Sequence, residues 1–219
     1  MKIDKNYKGL KNVGWRYEYE GSIVTEKALE VDLDMGLYVS GSIEAGGSIK
    51  AGGSIRAGGS IRAGWFIEAG WYIEAGESIE AGGYIEAGES IKAGGFIKAG
   101  GSIKAGGSIE ADESIEADGS IRAGEFIRAG EDCGISAGLY INCKGVLKFG
   151  LKCFAGVCTW KEITDAERTI TCGKLEGGMI EYGILVETGL ENERKTELLK
   201  KADELIAKAE ELKQEAAKI

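Results

Sequence analysis

Isoleucine returns every sixth residue from Ile43 to Ile127 without a miss. Around it runs a hexad that reads Ser-Ile-charged-Ala-Gly-Gly, fifteen times in succession. A helix would set successive isoleucines at wandering angles, because six is not a multiple of 3.6. A strand accommodates them. Ile and the Ala two positions later share one face, and the charged residue between them points the other way. Gly then follows Ala, where the chain must turn. Asp112 and Asp118 replace Gly in that slot. Asp tolerates left-handed backbone angles, so the pattern predicts a left-handed corner there. Each hexad becomes one short wall and one corner, and residues 41–130 are expected to coil as a parallel β-solenoid.

The outward charges set the length of a turn, because residues stacked on adjacent rungs should pair opposite signs. At a separation of 18, ten of twelve pairs are opposite; at 12, nine of thirteen; at 6, five of fourteen. Glu44, Arg62, Glu80, Lys98 and Glu116 alternate perfectly at 18, as do Arg56, Glu74, Lys92, Glu110 and Arg128. The aromatics point the other way, since Tyr72, Tyr84 and Phe96 would stack at 12. The charges are more numerous and decide for about three hexads per turn. The predicted fold class is mainly β: a parallel β-solenoid of hexad repeats with a C-terminal α-helix.

The flanks divide the chain further. Residues 1–40 are expected to form an N-terminal cap and first rungs. There Trp15, Tyr17 and Tyr19 alternate with charged residues, and Leu29, Val31, Leu33, Leu37 and Val39 lead into the repeat. After residue 130 the repeat slips by two at Asp132 and Cys133, resumes at Ile135 and Ile141, and then degrades, so residues 131–190 are read as irregular C-terminal rungs. Within 191–219, Leu198, Leu205, Leu212 and Ile219 recur every seven residues with Ala202, Ala209 and Ala216 between them. That pattern predicts an amphipathic helix, expected to dock on the solenoid as a cap rather than pair with a second chain. Its Ala, Lys, Glu and Leu composition resembles an idealised, designed helix.

The repeat, Ile-x-Ala-Gly-x-x, resembles the hexapeptide repeat of left-handed β-helix proteins. The likeness covers about residues 41–130 and concerns architecture only. The large and small inward positions are swapped relative to that family, which leaves a right-handed, bactofilin-like coil as the other form. The best-known members are acyltransferases and a class of carbonic anhydrase, whose base and metal-ligand roles fall to histidine. This chain has no His, so the resemblance carries over no catalytic residue. Insect ice-binding relatives carry Thr-x-Thr ladders, where this chain has Ser and a charge.

Composition narrows the function. A hydrophobic fraction of 43% suffices for a core, and 36 glycines without proline or a triplet period exclude collagen. A net charge of −9 with no basic block argues against a nucleic-acid partner. No run of 18 apolar residues spans a membrane, and the first residues lack a signal peptide's apolar core, so a cytoplasmic location is expected. Cys133, Cys143, Cys153, Cys158 and Cys172 lack paired zinc spacing. Cys143 falls in the Ala slot and Cys153 in the Ile slot, which reads as core packing. The alternating charges read as a solvated outer wall rather than an acid–base site.

Trp65, Phe66, Trp71 and Tyr72 are the candidate binding residues. The residue before each inward Ile points outward, so Phe66 and Tyr72 are expected at the surface with Trp65 and Trp71 near corners. Such a cluster marks a site for a sugar ring or a partner protein. The competing reading is local: Trp65 falls between Gly47 and Gly83 in an 18-residue coil and covers bare glycine backbone. The expected function is a non-catalytic structural or assembly scaffold that self-associates or holds another protein. The alternative is a carbohydrate- or protein-binding module built on these aromatics. No catalytic residue, metal or cofactor is expected.

Overall fold

The computed structural model describes residues 1–189, 196, 198–202 and 206. Among them, 29 strands stack into three parallel walls of a triangular coil. Wall 1 has ten strands, from Lys2–Ile3 to Ile184–Glu187. Wall 2 has ten, from Leu10–Asn12 to Lys174–Glu176. Wall 3 has nine, from Ile23–Thr25 to Met179–Tyr182. At about 4.8 Å per rung the taller walls rise about 43 Å.

Each regular strand is three residues long, Ile-x-Ala, with the two apolar residues buried and the charge between them outside. Every Ile from Ile43 to Ile127 is fully buried, and no Ala of these strands is more than 6% exposed. The register confirms three hexads per turn: Ile61 pairs with Ile43 on one side and Ile79 on the other, and Ile97 with Ile115. The same 18-residue step resolves the conflict posed by the aromatics. Tyr84 stacks on Phe66, with centroids 4.8 Å apart and planes 4° from parallel. The outer charges pair as anticipated, at 3.1 Å for Arg56–Glu74, 3.2 Å for Arg62–Glu80 and 3.5 Å for Lys98–Glu116. Two registers bring like charges together, Glu68 with Glu86 and Lys104 with Arg122. There Glu68 pairs with Lys50 and Glu86 with Lys104 instead.

The corners correct one expectation. Among the described residues no non-glycine residue has positive φ, and no hexad glycine from Gly46 to Gly124 does either. Left-handed backbone is therefore not why Gly follows Ala. The reason is close approach. A Cβ on Gly88 would lie 2.0 Å from the carbonyl oxygen of Gly70 one rung below, and the same atom on Gly76 2.1 Å from that of Gly58. The tight corner keeps the backbone bonded through the bend. Gly88 N–H donates to the Ala69 carbonyl at 3.0 Å, and Ile85 N–H to the Ser102 carbonyl at 3.0 Å. At several corners the serine before Ile extends the ladder. Its Oγ accepts the backbone N–H of the residue stacked above it: Ser60 on Ser42 at 3.2 Å, Ser108 on Ser90 at 3.0 Å, Ser120 on Ser102 at 3.1 Å. A side chain thus satisfies a corner donor that the turning backbone leaves without a partner.

The flanks keep the coil but change its step. At the N-terminus Ile23 pairs with Ile43, a step of 20, and a hairpin closes wall 2: Leu10–Asn12 runs antiparallel to Arg16–Tyr19. Its turn uses Gly14 at φ 95°. Tyr7 packs on Tyr19, with ring centroids 5.8 Å apart. The two-residue slip is accommodated by pairing Ile115 with Ile135. A larger insertion separates Ile141 from its partner Ile170; it projects as the 156–168 loop and ends in a short 3-10 helix, Asp165–Arg168. Cys143, Cys153 and Cys172 replace apolar residues in the core there. The last turn adds no further strand among the described residues. Leu175, Ile180 and Leu185 face inward but are only partly buried. Of the expected 191–219 helix, residues 196, 198–202 and 206 are helical and the rest lie outside the described residues. Leu198, Leu199 and Ile206 are exposed, so at these positions the apolar stripe does not dock on the solenoid as expected. No helix among the described residues is long and apolar enough to cross a membrane.

Candidate functional site

The coil sends the four sequence-predicted aromatics to two different corners. Trp65 and Phe66 precede Ile67–Ala69 of wall 1; Trp71 and Tyr72 precede Ile73–Ala75 of wall 2. They do not form one platform. Trp65 is 69% exposed and sits, as its column predicts, between two glycines: its N–H donates to the Gly47 carbonyl at 3.3 Å, and its carbonyl accepts from Gly83. Phe66 is half-buried rather than a free surface residue, because Tyr84 lies flat on it. The Tyr84 hydroxyl in turn donates to Glu68 at 3.4 Å. Partial burial, then the Glu68 charge, hold that phenol above its ordinary pKa. This corner is occupied by its own side chains.

The second corner is different. Trp71 and Tyr72 face two residues that sequence reasoning did not single out as a site, Trp15 and Arg16. The register runs Arg16, Gly36, Ser54, Tyr72 up one column of wall 2. Arg16 pairs with Gly36, Leu37 N–H donates to the Ser54 carbonyl at 2.9 Å, and Tyr72 N–H approaches Ser54 Oγ at 3.4 Å. Large residues therefore stand at both ends, with the two smallest between. The result is a recess of about 190 Å³ lined by Trp15, Arg16, Gly36, Ser54, Trp71 and Tyr72, among others. Gly36 cannot carry a larger side chain freely, because its Cβ would meet that of Ser54 at 3.1 Å.

Charge at this recess is balanced internally. The Arg16 guanidinium is held by Glu18, with Nε donating at 2.8 Å. It lies 4.2 Å from the Trp15 ring centroid and 4.5 Å from that of Tyr38. Arg56 stands 3.1 Å from Glu74 through Nε, though the geometry there falls short of a hydrogen bond. Its guanidinium also lies 5.9 Å from the Tyr72 ring. Hydrogen bonding to Glu89, then that carboxylate's charge, raises the pKa of Tyr72, so its hydroxyl is a neutral donor at ordinary pH. The signal for this site was in the sequence: Trp15, Met35, Gly53 and Trp71 share a column once the first step is taken as 20 residues instead of 18.

Other surfaces lack this combination. A shallow groove of about 530 Å³ on wall 3 runs past Val24, Glu44, Arg62 and Glu80 over corner glycines; no aromatic lines it. A recess of about 260 Å³ near the C-terminal end of that wall is bounded by Ser136, Leu151 and Phe154. The five cysteines are unpaired. Burial, then the nearby Cys172 thiol, push Cys143 and Cys153 up to about 12, and burial pushes Cys172 up to about 11. These are inert packing thiols rather than nucleophiles. Among the described residues no group of three or more His, Cys, Asp or Glu is arranged to hold a metal. Comparison with protein-family models, curated proteins and solved structures gave no match.

Proposed function

We propose that this chain is a non-catalytic structural scaffold, a stiff rod that fixes the spacing of whatever its ends and corners carry. The observation that supports this most is the uniformity of the coil. From Ile43 to Ile127 every rung repeats the same buried Ile and Ala, and at every corner from Gly64 to Gly124 the N–H after Ala donates to an Ala carbonyl one rung below. Its outer carboxylates stand in solvent-exposed ion pairs instead of a cleft. Such a wall has no enclosed low-dielectric space in which a proton donor or nucleophile is tuned. Each wall finishes on an outermost strand at both ends among the described residues, Lys2–Ile3, Leu10–Asn12 and Ile23–Thr25 at the first turn and Ile184–Glu187, Lys174–Glu176 and Met179–Tyr182 at the last. Outermost strands are templates for adding strands, so end-to-end assembly fits this role.

Stiffness is the testable core of the proposal. Single-molecule energy transfer between dyes at Glu26 and Lys152, both near wall 3 but far apart along the rod, should give one narrow distance distribution. That distribution should not change between low and high salt, since exposed ion pairs contribute little. A broad or salt-dependent distribution would show a flexible chain and overturn the scaffold reading.

A further inference from the structure

We propose that the recess between Trp15 and Trp71 on wall 2 is a binding site for a neutral sugar ring. The two indoles share a column, separated by three rungs, or about 14 Å. Trp15 is 64% exposed, Trp71 50% and Tyr72 39%. Large aromatics left in water around a recess mark a recognition surface more than a fold requirement. Nothing in the repeat demands them, because the same slots are filled elsewhere by Gly, Glu and Ser.

Three features choose the ligand class. Indole and phenol faces carry negative quadrupole density. They match the C–H face of a pyranose, whose hydrogens are weakly positive. The polar groups at the rim are the Arg16–Glu18 and Arg56–Glu74 pairs. Each pair balances its own charge, so neither a phosphate nor a carboxylate meets net positive charge there. Yet the pairs offer guanidinium donors beside carboxylate acceptors, the two kinds of partner that hydroxyls need. The size fits as well. About 190 Å³ is below the ~300 Å³ at which drug-sized sites begin, so the recess takes one ring or the end of a chain. Ser54 and Gly36 form a polar, small-residue floor that lets such a ring approach the backbone.

The repeat supplies its own blocking variant. The Ser54 slot holds Phe at Phe66, Phe96 and Phe126, so Ser54→Phe suits the fold. Its ring would lie under Tyr72 as Phe66 lies under Tyr84, filling the recess. The test is tryptophan fluorescence quenching and saturation-transfer NMR with a panel of neutral methyl glycosides and oligosaccharides, alongside uronates, sulfated sugars and inorganic phosphate. At least one neutral sugar should bind saturably at concentrations up to about 10 mM. Trp15→Ala and Trp71→Ala should each weaken it by about tenfold or more. Ser54→Phe should abolish it, and Trp65→Ala, at the other corner, should leave it within about twofold. Circular dichroism of each variant checks that the coil persists. The proposal is overturned if no neutral sugar binds in that range, if only the anionic ligands bind, or if folded Ser54→Phe retains binding. Equal losses from Trp65→Ala and Trp71→Ala overturn it too.

Discussion

Adding one methyl group at a corner separates the two physical reasons a glycine can have. In Gly88→Ala the new Cβ starts 2.0 Å from the Gly70 carbonyl oxygen. Ordinary contact requires more than 3.4 Å, so the corner backbone must shift; at Asp112 and Asp118, which carry a Cβ in this slot, the N–H bonds to Ala93 and Ala99 still measure 3.1 Å. The Gly88 N–H bond to Ala69 and the Glu89 N–H bond to Trp71, both 3.0 Å, lie in the region that must move. Overpacking of this kind costs about 1–3 kcal/mol, and each weakened hydrogen bond adds about 0.5–1.5 kcal/mol. Asp112 and Asp118 carry a Cβ in the equivalent slot, which keeps the expected total in the range of about 2–4 kcal/mol, short of unfolding. The control is Gly52→Ala. Gly52 belongs to the same column and slot, but a Cβ there meets nothing within 4 Å. It should be neutral, or stabilising by about 0.4–1 kcal/mol through a less flexible unfolded chain. Denaturant melts give the ranking, and hydrogen exchange at Gly88 and Glu89 shows whether the damage is local. If both variants lose the same stability, close approach is not the reason for glycine, and a backbone-angle account must return.

Replacing buried Ile85 by Ala should cost about 2–5 kcal/mol, whereas Glu86→Ala, which removes an exposed partner of Lys104, should cost well under about 1 kcal/mol; equal shifts in melting would mean the inward and outward faces are misassigned. Removing the hydroxyl in Ser90→Ala should expose Ser108 N–H as a donor without its 3.0 Å partner, costing about 1–3 kcal/mol and accelerating hydrogen exchange at Ser108; unchanged exchange there would refute the serine ladder. The thiols give a pH signature. Cys143 and Cys153 titrate near 12 when folded against an ordinary value of 9.0, so the unfolded chain releases their protons first. Their contribution to stability is therefore complete below about pH 9 and falls away as pH rises towards about 12. The double variant Cys143→Ala with Cys153→Ala should show a flatter decline over that window than the parent chain. A parallel decline would show that these thiols are not held neutral by burial.

The coil itself was legible because its two determinants are periodic. Ile and Ala at a spacing of two define an inward face, and charges that alternate at 18 identify the neighbour above and below. Both are pairwise constraints between identical rungs, so one chain contains many repeats of the same test. The corner conformation was not legible, since glycine serves left-handed backbone and close backbone approach alike; the φ values and the 2.0 Å distance at Gly88 distinguish them. The fate of the aromatics was half legible. Their outward direction follows from period two, and Trp65 does sit between Gly47 and Gly83. That Trp71 and Tyr72 look across a gap to Trp15 depends on the first rungs stepping by 20 residues and on the antiparallel hairpin ending beside Trp15. The insertion at 156–168 escaped for a related reason. Once the hexad fails, nothing in local pattern says that Ile170 is the residue above Ile141.

Where new chemistry can be placed on such a coil follows from which slots stacking has already used. Ile and Ala are committed to the core, the Gly after Ala to clearance of the carbonyl below, and the charge to a pair with its neighbour. Only the two positions before each Ile remain adjustable, and they are adjustable in columns, because a residue there meets its counterparts one rung away. Two large residues in adjacent rungs satisfy each other, as Phe66 and Tyr84 do. Large residues separated by small ones cannot touch, so they leave a recess whose height is set by the number of small residues between them. Gly36 and Ser54 between Arg16 and Tyr72 make the recess of wall 2 in this way. The same rule predicts that replacing Tyr84 by Ser would strip Phe66 of its cover and open a second recess beside Trp65. A rise in Trp65 quenching by a neutral quencher should report it. If Trp65 and the newly uncovered Phe66 then failed to gain access to solvent, the columns would not be the unit in which this surface is written.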